Sequence, residues 1–334
     1  MSPLVSILLP VHQAAATLPS CLASIARQTF TDWRCVIVDD GSTDGGPQIA
    51  EARAASDPRF ELIRSAHRGL VETLNTGLDH CTGGFVARMD ADDLMHRERL
   101  SLQVDHLRSE PDLAGTGCHV RIFPRRAMGD GLRGYERWLG SIDGASRVAA
   151  EAFVECPVAH PTWMVRREPM TALRYRDAGW PEDYDLLLRM LAAGHRFGVV
   201  PRRLLSWREH EDRLTHNAAA YRIEQFPRLK AAFLCEGFLA GRESYVLWGY
   251  GHTGRALRRA LLEHGRRPSR IVEVHPGRLG QRIHGAPVIS PDDLADVRGE
   301  PIVASVAGAQ PRSEVRRALA RMGFKELRDF VCAA

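Results

Sequence analysis

The chain has 334 residues, of which 44% are hydrophobic and 26% charged, a composition typical of a soluble globular protein with about two domains. These proportions exclude collagen, a coiled coil, an intrinsically disordered chain and a small disulfide-rich scaffold. The 45 basic and 41 acidic side chains leave a net charge of +4. This excess is too small to indicate a nucleic-acid partner, and none is expected.

The cysteines and the apolar segments indicate where the protein works. The seven cysteines are odd in number, widely spaced and without a C-x-x-C pair, so a reducing, cytoplasmic setting is expected. The apolar opening at 5–11 lacks a basic flank and predicts a buried strand rather than a signal peptide. No run approaches the roughly 18 apolar residues of a membrane span. Peripheral attachment at the inner face of the membrane remains compatible with this pattern.

Strand-length apolar runs alternate with helix-length amphipathic segments through the first hundred residues. Strands are predicted at 5–11, 33–38, 60–63 and 85–89, and helices at 14–28, 47–56 and 70–81. This β-α-β-α order predicts an α/β fold with a mostly parallel sheet covered on both faces. In such sheets ligands bind outside the carboxyl ends of the strands.

The middle of the chain has a weaker pattern. Residues 121–144 are rich in Gly and Arg and predict an irregular segment. Apolar residues at helical spacing predict a helix at 182–193 and another at 217–238, the latter interrupted near Pro227.

The composition changes again near residue 240. Beyond that point a short β-α-β pattern predicts a second, smaller α/β domain. The predicted domains are residues 1–236 and 245–334, joined by a linker at 237–244.

Acidic residues follow two of the predicted strands. Asp39-Asp40-Gly41-Ser42 ends one strand and Asp90-Ala91-Asp92-Asp93 follows another, so both are expected at one edge of the sheet. Three neighbouring carboxylates repel one another, and a divalent cation such as Mg²⁺ or Mn²⁺ relieves that repulsion. From the residues alone, a turn at the first cluster and a helix N-cap at the second are the alternatives.

Eight short motifs, in order along the chain, carry a resemblance to a known family. They are Val5-Ser6-Ile7-Leu8-Leu9-Pro10, Gln28-Thr29-Phe30, Val36-Ile37-Val38-Asp39-Asp40-Gly41-Ser42-Thr43-Asp44, Leu74-Asn75-Thr76-Gly77-Leu78, Asp90-Ala91-Asp92-Asp93, Arg99-Leu100, His160-Pro161-Thr162 and Glu182-Asp183-Tyr184-Asp185. Over residues 3–220 the chain resembles a family 2 glycosyltransferase with a GT-A fold. It departs from the family at His96-Arg97, where a proline is common, which affects a helix start rather than the chemistry.

The resemblance implies an inverting, metal-assisted transfer of a sugar from a nucleotide-diphosphate donor, with a uridine diphosphate sugar favoured. The implied acceptor is a hydroxyl of a saccharide, a lipid-linked molecule or a small molecule. The implied nucleotide-binding residues are Pro10, Val11, Asp39, Asp40, Arg68, Asp90 and Arg208. Asp92 and His210 are the implied ligands of Mn²⁺ or Mg²⁺, and Asp183 is the implied general base that takes the acceptor proton.

Several of these side chains also have a purely structural interpretation. Glu182 and Asp183 are suited to the start of a helix, where the helix dipole favours negative charge. Arg208 and His210 are equally suited to a solvated polar loop, whereas for Arg68 an ordinary surface position is favoured.

Three residues, His160, Trp180 and Glu182, are the candidates for binding the acceptor. His160 is expected to hold a structural hydrogen bond or to touch the acceptor, with metal ligation less favoured. Trp163 and Trp180 are suited to stacking on a sugar face, and core packing is an equal alternative.

The second domain contains a glycine-rich turn of the dinucleotide-binding kind. Gly249, Gly251 and Gly254 form G-x-G-x-x-G between a predicted strand and a predicted helix, and Glu273 ends the next strand. A bound nucleotide or NAD(P) is one interpretation. The domain resembles small Rossmann-like domains attached to sugar-modifying proteins, so an architectural role or homo-oligomer formation is the favoured one.

Two other functions are compatible with parts of this pattern. The first is a nicotinamide-dependent sugar oxidoreductase or epimerase centred on the glycine turn, whose activity would not depend on Asp92. A non-catalytic nucleotide-sugar sensor binds the donor without turnover and does not need Asp183. The presence of Asp90, Asp92 and Asp183 argues against the sensor, which does not need a base.

Overall fold

The computed structural model describes residues 2–211 and 213–334, which divide into two compact units. The first unit takes in residues up to 148, 158–178 and 182–213, and the second takes in 149–157, 179–181 and 214–334. The second unit is larger than the predicted 245–334 because earlier segments contribute to its core, among them Phe153, Ala231 and Leu234.

The elements of the first unit begin with the predicted alternation of strands and helices. Its strands are β1 (Val5–Val11), β2 (Trp33–Asp40), β3 (Phe60–Ser65), β4 (Phe85–Arg88), β5 (Leu94–Met95), β6 (Leu113–Phe123), β7 (Met164–Arg166) and β8 (Arg196–Arg208). Its helices are α1 (Leu18–Ala26), α2 (Gly46–Ser56), α3 (Leu70–His80), α4 (Arg99–Ser109), α5 (Asp130–Leu139), α6 (Ala145–Glu151, which continues into the second unit), α7 (Arg167–Leu173) and α8 (Glu182–Ala192).

The eight strands form one mixed, mostly parallel sheet in the order β3-β2-β1-β4-β7-β6-β8-β5. β1 is parallel to both β2 and β4, with Val11 opposite Asp39 and Leu8 opposite Arg88. All seven residues of β1 are buried, as expected for a parallel strand covered on both faces. The prediction of an α/β fold with a mostly parallel sheet is confirmed. The carboxyl ends of β1, β2 and β4 therefore meet at one edge.

The segment at 121–144 is more regular than predicted. β6 continues to Phe123 and α5 occupies Asp130–Leu139, so the prediction of an irregular segment is wrong there. Two glycines in α5 lower its intrinsic helix propensity. Packing overrides that preference because Leu132, Tyr135 and Leu139 meet the core at helical spacing.

The second unit has its own six-stranded sheet. Its strands are β9 (Ser244–Trp248), β10 (Arg267–Val272), β11 (Arg282–Ile283), β12 (Ala286–Ile289), β13 (Ile302–Ala304) and β14 (Phe330–Cys332), in the order β11-β12-β10-β9-β13-β14. Its helices are α9 (Leu214–Asn217), α10 (Gln225–Glu236), α11 (His252–Glu263) and α12 (Ala309–Arg321). Pro227 lies in the first turn of α10, where proline is tolerated, so the long predicted helix begins there instead of being interrupted.

None of the helices in the described parts of the chain is long and apolar enough to cross a lipid bilayer.

Candidate functional site

The site is built at the carboxyl ends of β1 and β2, which lie side by side. Pro10 faces Val38 and Val11 faces Asp39 across the two strands, and all four residues are buried. The Asp39 carboxylate accepts a hydrogen bond from the backbone N–H of Ser42 at 3.3 Å. Pro10, Val11 and Asp39 therefore lie together at the carboxyl ends of two paired strands.

The Asp40 carboxylate organises the loop that leads into α3. It accepts hydrogen bonds from the backbone N–H groups of Arg68 at 2.7 Å and Gly69 at 2.9 Å, and it lies 2.9 Å from Nδ1 of His67. Burial by itself raises the pKa of Asp40, but these donors outweigh it and hold the pKa below its usual value. The Arg68 side chain is exposed, so its fixed contribution here is a backbone N–H.

Two histidines that sequence reasoning did not select stand beside Asp40. The rings of His12 and His67 stack with centroids 4.4 Å apart, and Nδ1 of His12 lies 2.9 Å from the carbonyl oxygen of Asp40. One nitrogen of each histidine and one oxygen of Asp40 lie within 4.8 Å of one another. The available signal was position, because His12 directly follows β1 and His67 follows β3 at the same sheet edge.

The three carboxylates after β4 are drawn together. Asp90, Asp92 and Asp93 each place an oxygen within 4.8 Å of the others. Asp90 pairs with the buried Arg88 at 2.6 Å, and Asp92 lies 2.8 Å from Nε2 of His210. Sequence reasoning placed Asp92 and His210 together, and here their side chains are in contact.

Asp93 is the most buried of the three and completes the cluster. Its Oδ1 accepts the backbone N–H of Arg208 at 2.7 Å, whereas its Oδ2 has no hydrogen-bond partner within the described parts of the chain. Burial and the charge of Asp90 raise the pKa of Asp92, and burial with the charges of Asp92 and Asp90 raises the pKa of Asp93 well above its usual range. Clustered oxygens, mutual repulsion and an orphaned buried oxygen are the conditions that a hard divalent cation satisfies.

Arg208 acts at the end of β8 through both its backbone and its side chain. Its Nε donates to the carbonyl oxygen of Asp92 at 2.7 Å, and its guanidinium lies 4.6 Å from the ring centroid of Phe123. β5 pairs with β8, with Leu94 opposite Ser206, so the segment carrying Arg208 is held against the acidic loop. The Nε hydrogen bond holds the Arg208 guanidinium beside the acidic loop.

The first turn of α8 carries the predicted base. Asp183 is half-buried, and its Oδ1 accepts the backbone N–H of Tyr184 at 2.7 Å. Glu182 is buried, with Oε1 3.9 Å from Nδ1 of His160.

His160 lies inside an aromatic cluster. Its Nε2 is 2.7 Å from the hydroxyl of Tyr175, and its ring is edge-on to the fully buried Trp163. Burial first, and then the charge of Arg88, lower the pKa of His160 well below its usual value, so the ring is neutral. Trp180 is half-buried two residues before α8 and is assigned to the second unit.

A buried carboxylate that sequence reasoning treated only as part of a motif holds α8 in place. Asp185 is fully buried, and its oxygens accept hydrogen bonds from Arg176 at 2.9 Å and from Arg189 at 2.6 Å. Arg189 also donates to the carbonyl oxygens of Leu173 and Arg174 at the end of α7. This network fixes the first turn of α8, where Asp183 lies.

The predicted glycine turn of the second unit joins β9 to α11. Gly249 has φ = +94°, and Gly254 packs so closely that a Cβ there would lie 2.1 Å from the carbonyl oxygen of Gly249. Glu273 follows β10 and pairs with Arg278 at 2.8 Å. The turn has the strand–turn–helix setting of a nucleotide-binding fingerprint.

Known proteins match the chain in sequence and in structure. The family model described as Glycosyl transferase family 2 matches residues 6–173. EpsE of Bacillus subtilis, which carries a glycosyltransferase name, is 31% identical over 228 residues, covering 66% of this chain and 79% of EpsE.

Two solved structures share the fold. The S. aureus TarS 1–349 complex with UDP-GlcNAc has a TM-score of 0.57 and 17% identity, covering 78% of this chain and 72% of that one. The Pyrobaculum calidifontis mannosyltransferase PcManGT, in complex with GDP-Man and Mn²⁺, has a TM-score of 0.54 and 19% identity, covering 79% and 70%. The α/β architecture of the first sheet is thus that of GT-A glycosyltransferase structures.

Proposed function

We propose a specific transfer reaction for this chain, which belongs to glycosyl transferase family 2 and is a glycosyltransferase. In the proposed reaction it moves a sugar from a nucleotide-diphosphate donor, with a uridine diphosphate sugar favoured, to an acceptor hydroxyl. The observation that carries this proposal is the shared edge of β1, β2 and β4: Asp40 ends β2, and the cluster of Asp90, Asp92 and Asp93 follows β4, the two strands that flank β1. A single in-line displacement there inverts the anomeric carbon.

The donor nucleoside is proposed to bind beside Asp40. His12 and His67 offer an aromatic stack, and both side chains are exposed. Such a ring face suits a nucleobase, while the ordered backbone N–H and C=O groups around Asp40 suit its polar edge or the ribose. TarS in complex with UDP-GlcNAc supports a uridine nucleotide, and PcManGT in complex with GDP-Man keeps guanosine as the alternative.

Asp92, assisted by His210 and Asp90, is proposed to hold Mn²⁺ or Mg²⁺. The clustered oxygens fit a hard cation, and the PcManGT complex with Mn²⁺ supports this choice. When bound, such an ion acts as a Lewis acid on a leaving diphosphate. Asp93 and Arg208 hold the loop that carries these ligands.

Asp183 is proposed to take the proton of the acceptor hydroxyl. It lies in the first turn of α8, where the helix dipole stabilises a carboxylate, and the Asp185 network holds that turn. The acceptor is a hydroxyl of a saccharide, a lipid-linked molecule or a small molecule, with Glu182 and His160 as candidate contacts. Nothing in the comparisons supports the nicotinamide-dependent oxidoreductase.

A screen of nucleotide sugars tests this function. The thermal midpoint of the full chain is measured with UDP-, GDP- and dTDP-sugars, each with and without Mn²⁺. One nucleotide class is expected to raise Tm more with Mn²⁺ than without it, because ligands that bind the native state stabilise it. If no nucleotide sugar shifts Tm in either condition, the proposed donor site is wrong.

Replacing Asp40 by asparagine is expected to lower the free energy of unfolding at pH 7 by about 1.5–3 kcal/mol, because the amide keeps only one of two acceptor oxygens for charged hydrogen bonds. The pKa of Asp40 is lowered in the fold, so its contribution is present above the ordinary value of 3.8 and is lost as pH falls below it. Urea unfolding of both proteins from pH 7 to about pH 3 should show the difference shrinking. Asp105→Asn, on the exposed face of α4, is the control; a pH-independent difference would contradict the assignment.

A further inference from the structure

The second unit contains a cleft of about 660 Å³ at the carboxyl end of β9. In its sheet β10 lies on one side of β9 and β13 lies on the other. The strand order therefore changes direction at β9. Open α/β sheets bind ligands at such a switch point. Gly249, Glu273 and Ser305 directly follow these three strands, and all three line the cleft.

The three glycines of the turn are present for different reasons. Gly249 and Gly254 are required by the fold, because a Cβ at Gly249 would lie 2.7 Å from Val306 and one at Gly254 would meet the carbonyl oxygen of Gly249. Gly251 is different: it has an ordinary negative φ, and a Cβ there would have nothing within 4 Å. Packing therefore does not explain a glycine at this position, whereas close approach of a ligand to the backbone does.

The first turn of α11 lines this cleft. α11 has twelve residues, and its first turn, at His252 and Thr253, lines the cleft without a side-chain cap from the described residues. Backbone N–H groups and the helix dipole at such a start favour an anion. Arg278 reaches the same turn, where its guanidinium is 2.8 Å from Glu273 and 3.4 Å from the carbonyl oxygen of Tyr250.

A buried hydroxyl gives an independent indication of a ligand. Ser305 lines the cleft with only 2% of its surface exposed, and its Oγ has no hydrogen-bond partner in the described residues. Its carbonyl oxygen accepts a hydrogen bond from Thr253 Oγ1 at 3.3 Å, which ties Ser305 to the first turn of α11. An unpartnered buried hydroxyl costs stability unless a ligand supplies the missing partner.

We infer that this cleft binds the ribose–phosphate part of a nucleotide. The phosphate lies at the first turn of α11 beside Arg278, where Gly251 leaves room for it, and the Ser305 hydroxyl bonds to it. A ribose hydroxyl is placed at Glu273, the position after the second strand of the βαβ unit where an acidic side chain contacts ribose. Every residue named belongs to the second unit, so this site is additional to the proposed donor site.

Substituting Gly251 tests the site without disturbing the packing. The full-length Gly251→Val variant and the wild type are titrated by calorimetry with ADP and NAD⁺, which distinguish a mononucleotide from a dinucleotide; UDP is omitted because the proposed donor site would also bind it. At least one of these nucleotides is expected to bind the variant tenfold or more weakly, while glycosyl transfer, which reports on the first unit, is unchanged. Gly131→Val in α5 is the control, because a Cβ there also meets open space.

Substituting Ser305 gives a second, independent measurement. Ser305→Ala removes an unpartnered hydroxyl, so the ligand-free protein is expected to be as stable as the wild type or more stable. The Tm increase caused by the nucleotide is nevertheless expected to shrink. If ADP and NAD⁺ each bind the wild type, Gly251→Val and Ser305→Ala equally, or if neither binds any of the three proteins, the inference is wrong. A failure of glycosyl transfer in the wild type contradicts the proposed function. The titrations still test the nucleotide site of the second unit, because they do not depend on that activity.

Discussion

Replacing Asp183 by asparagine is expected to lower the transfer rate by roughly 10²–10⁴-fold, the range that a positioned general base contributes. Donor affinity is expected to stay unchanged, because Asp183 lies in the first turn of α8 and the nucleoside is proposed to bind beside Asp40. The amide oxygen preserves the hydrogen bond from the backbone N–H of Tyr184, so the helix start is retained. Single-turnover kinetics and donor calorimetry on the same preparation separate the two effects.

Two variants make this result specific to Asp183. Glu182→Gln changes the neighbouring carboxylate, which lies beside His160 inside the fold, and is expected to reduce the rate less. Asp105→Asn alters an exposed carboxylate on α4 and is expected to change nothing. Near-wild-type turnover of Asp183→Asn, or a larger loss in Glu182→Gln, would show that Asp183 is not the base.

Replacing Asp92 by asparagine is expected to abolish most of the Mn²⁺-dependent gain in donor affinity and to reduce turnover by roughly 10²-fold or more. Lewis-acid stabilisation of a leaving diphosphate accounts for several kcal/mol of barrier lowering, and each 1.36 kcal/mol is tenfold in rate. Calorimetry of the donor with and without Mn²⁺ measures the affinity, and EDTA treatment of the wild type is expected to reproduce the rate loss.

The same variant is expected to be slightly more stable than the wild type when metal is absent. Folding raises the pKa of Asp92 through burial and the charge of Asp90, so an ionised Asp92 at neutral pH opposes folding and a neutral amide removes that cost. In thermal unfolding, Asp92→Asn should therefore have the higher Tm in EDTA, whereas the wild type should have the higher Tm in Mn²⁺. Unchanged metal-linked affinity in Asp92→Asn would refute Asp92 as a ligand.

The local sequence determined the α/β class and the edge of the sheet at which the site is built. Hydrophobic runs of strand and helix length are short-range signals, and a parallel sheet brings strand ends together, so Asp40 and Asp92 could be assigned to one edge in advance. The family motifs added the expected roles of Asp92 and Asp183. Packing overrode local propensity in α5, where two glycines masked a helix that the core stabilises.

Only the tertiary structure decided which distant side chains meet. His12 stacks on His67 because β1, β2 and β3 end together, and Arg208 reaches Asp93 because β5 pairs with β8. These contacts depend on strand order and register across more than fifty residues of chain, which hydrophobic periodicity does not encode. The same holds for the buried Oγ of Ser305, since an unpartnered hydroxyl is a property of the packed fold and not of its local sequence.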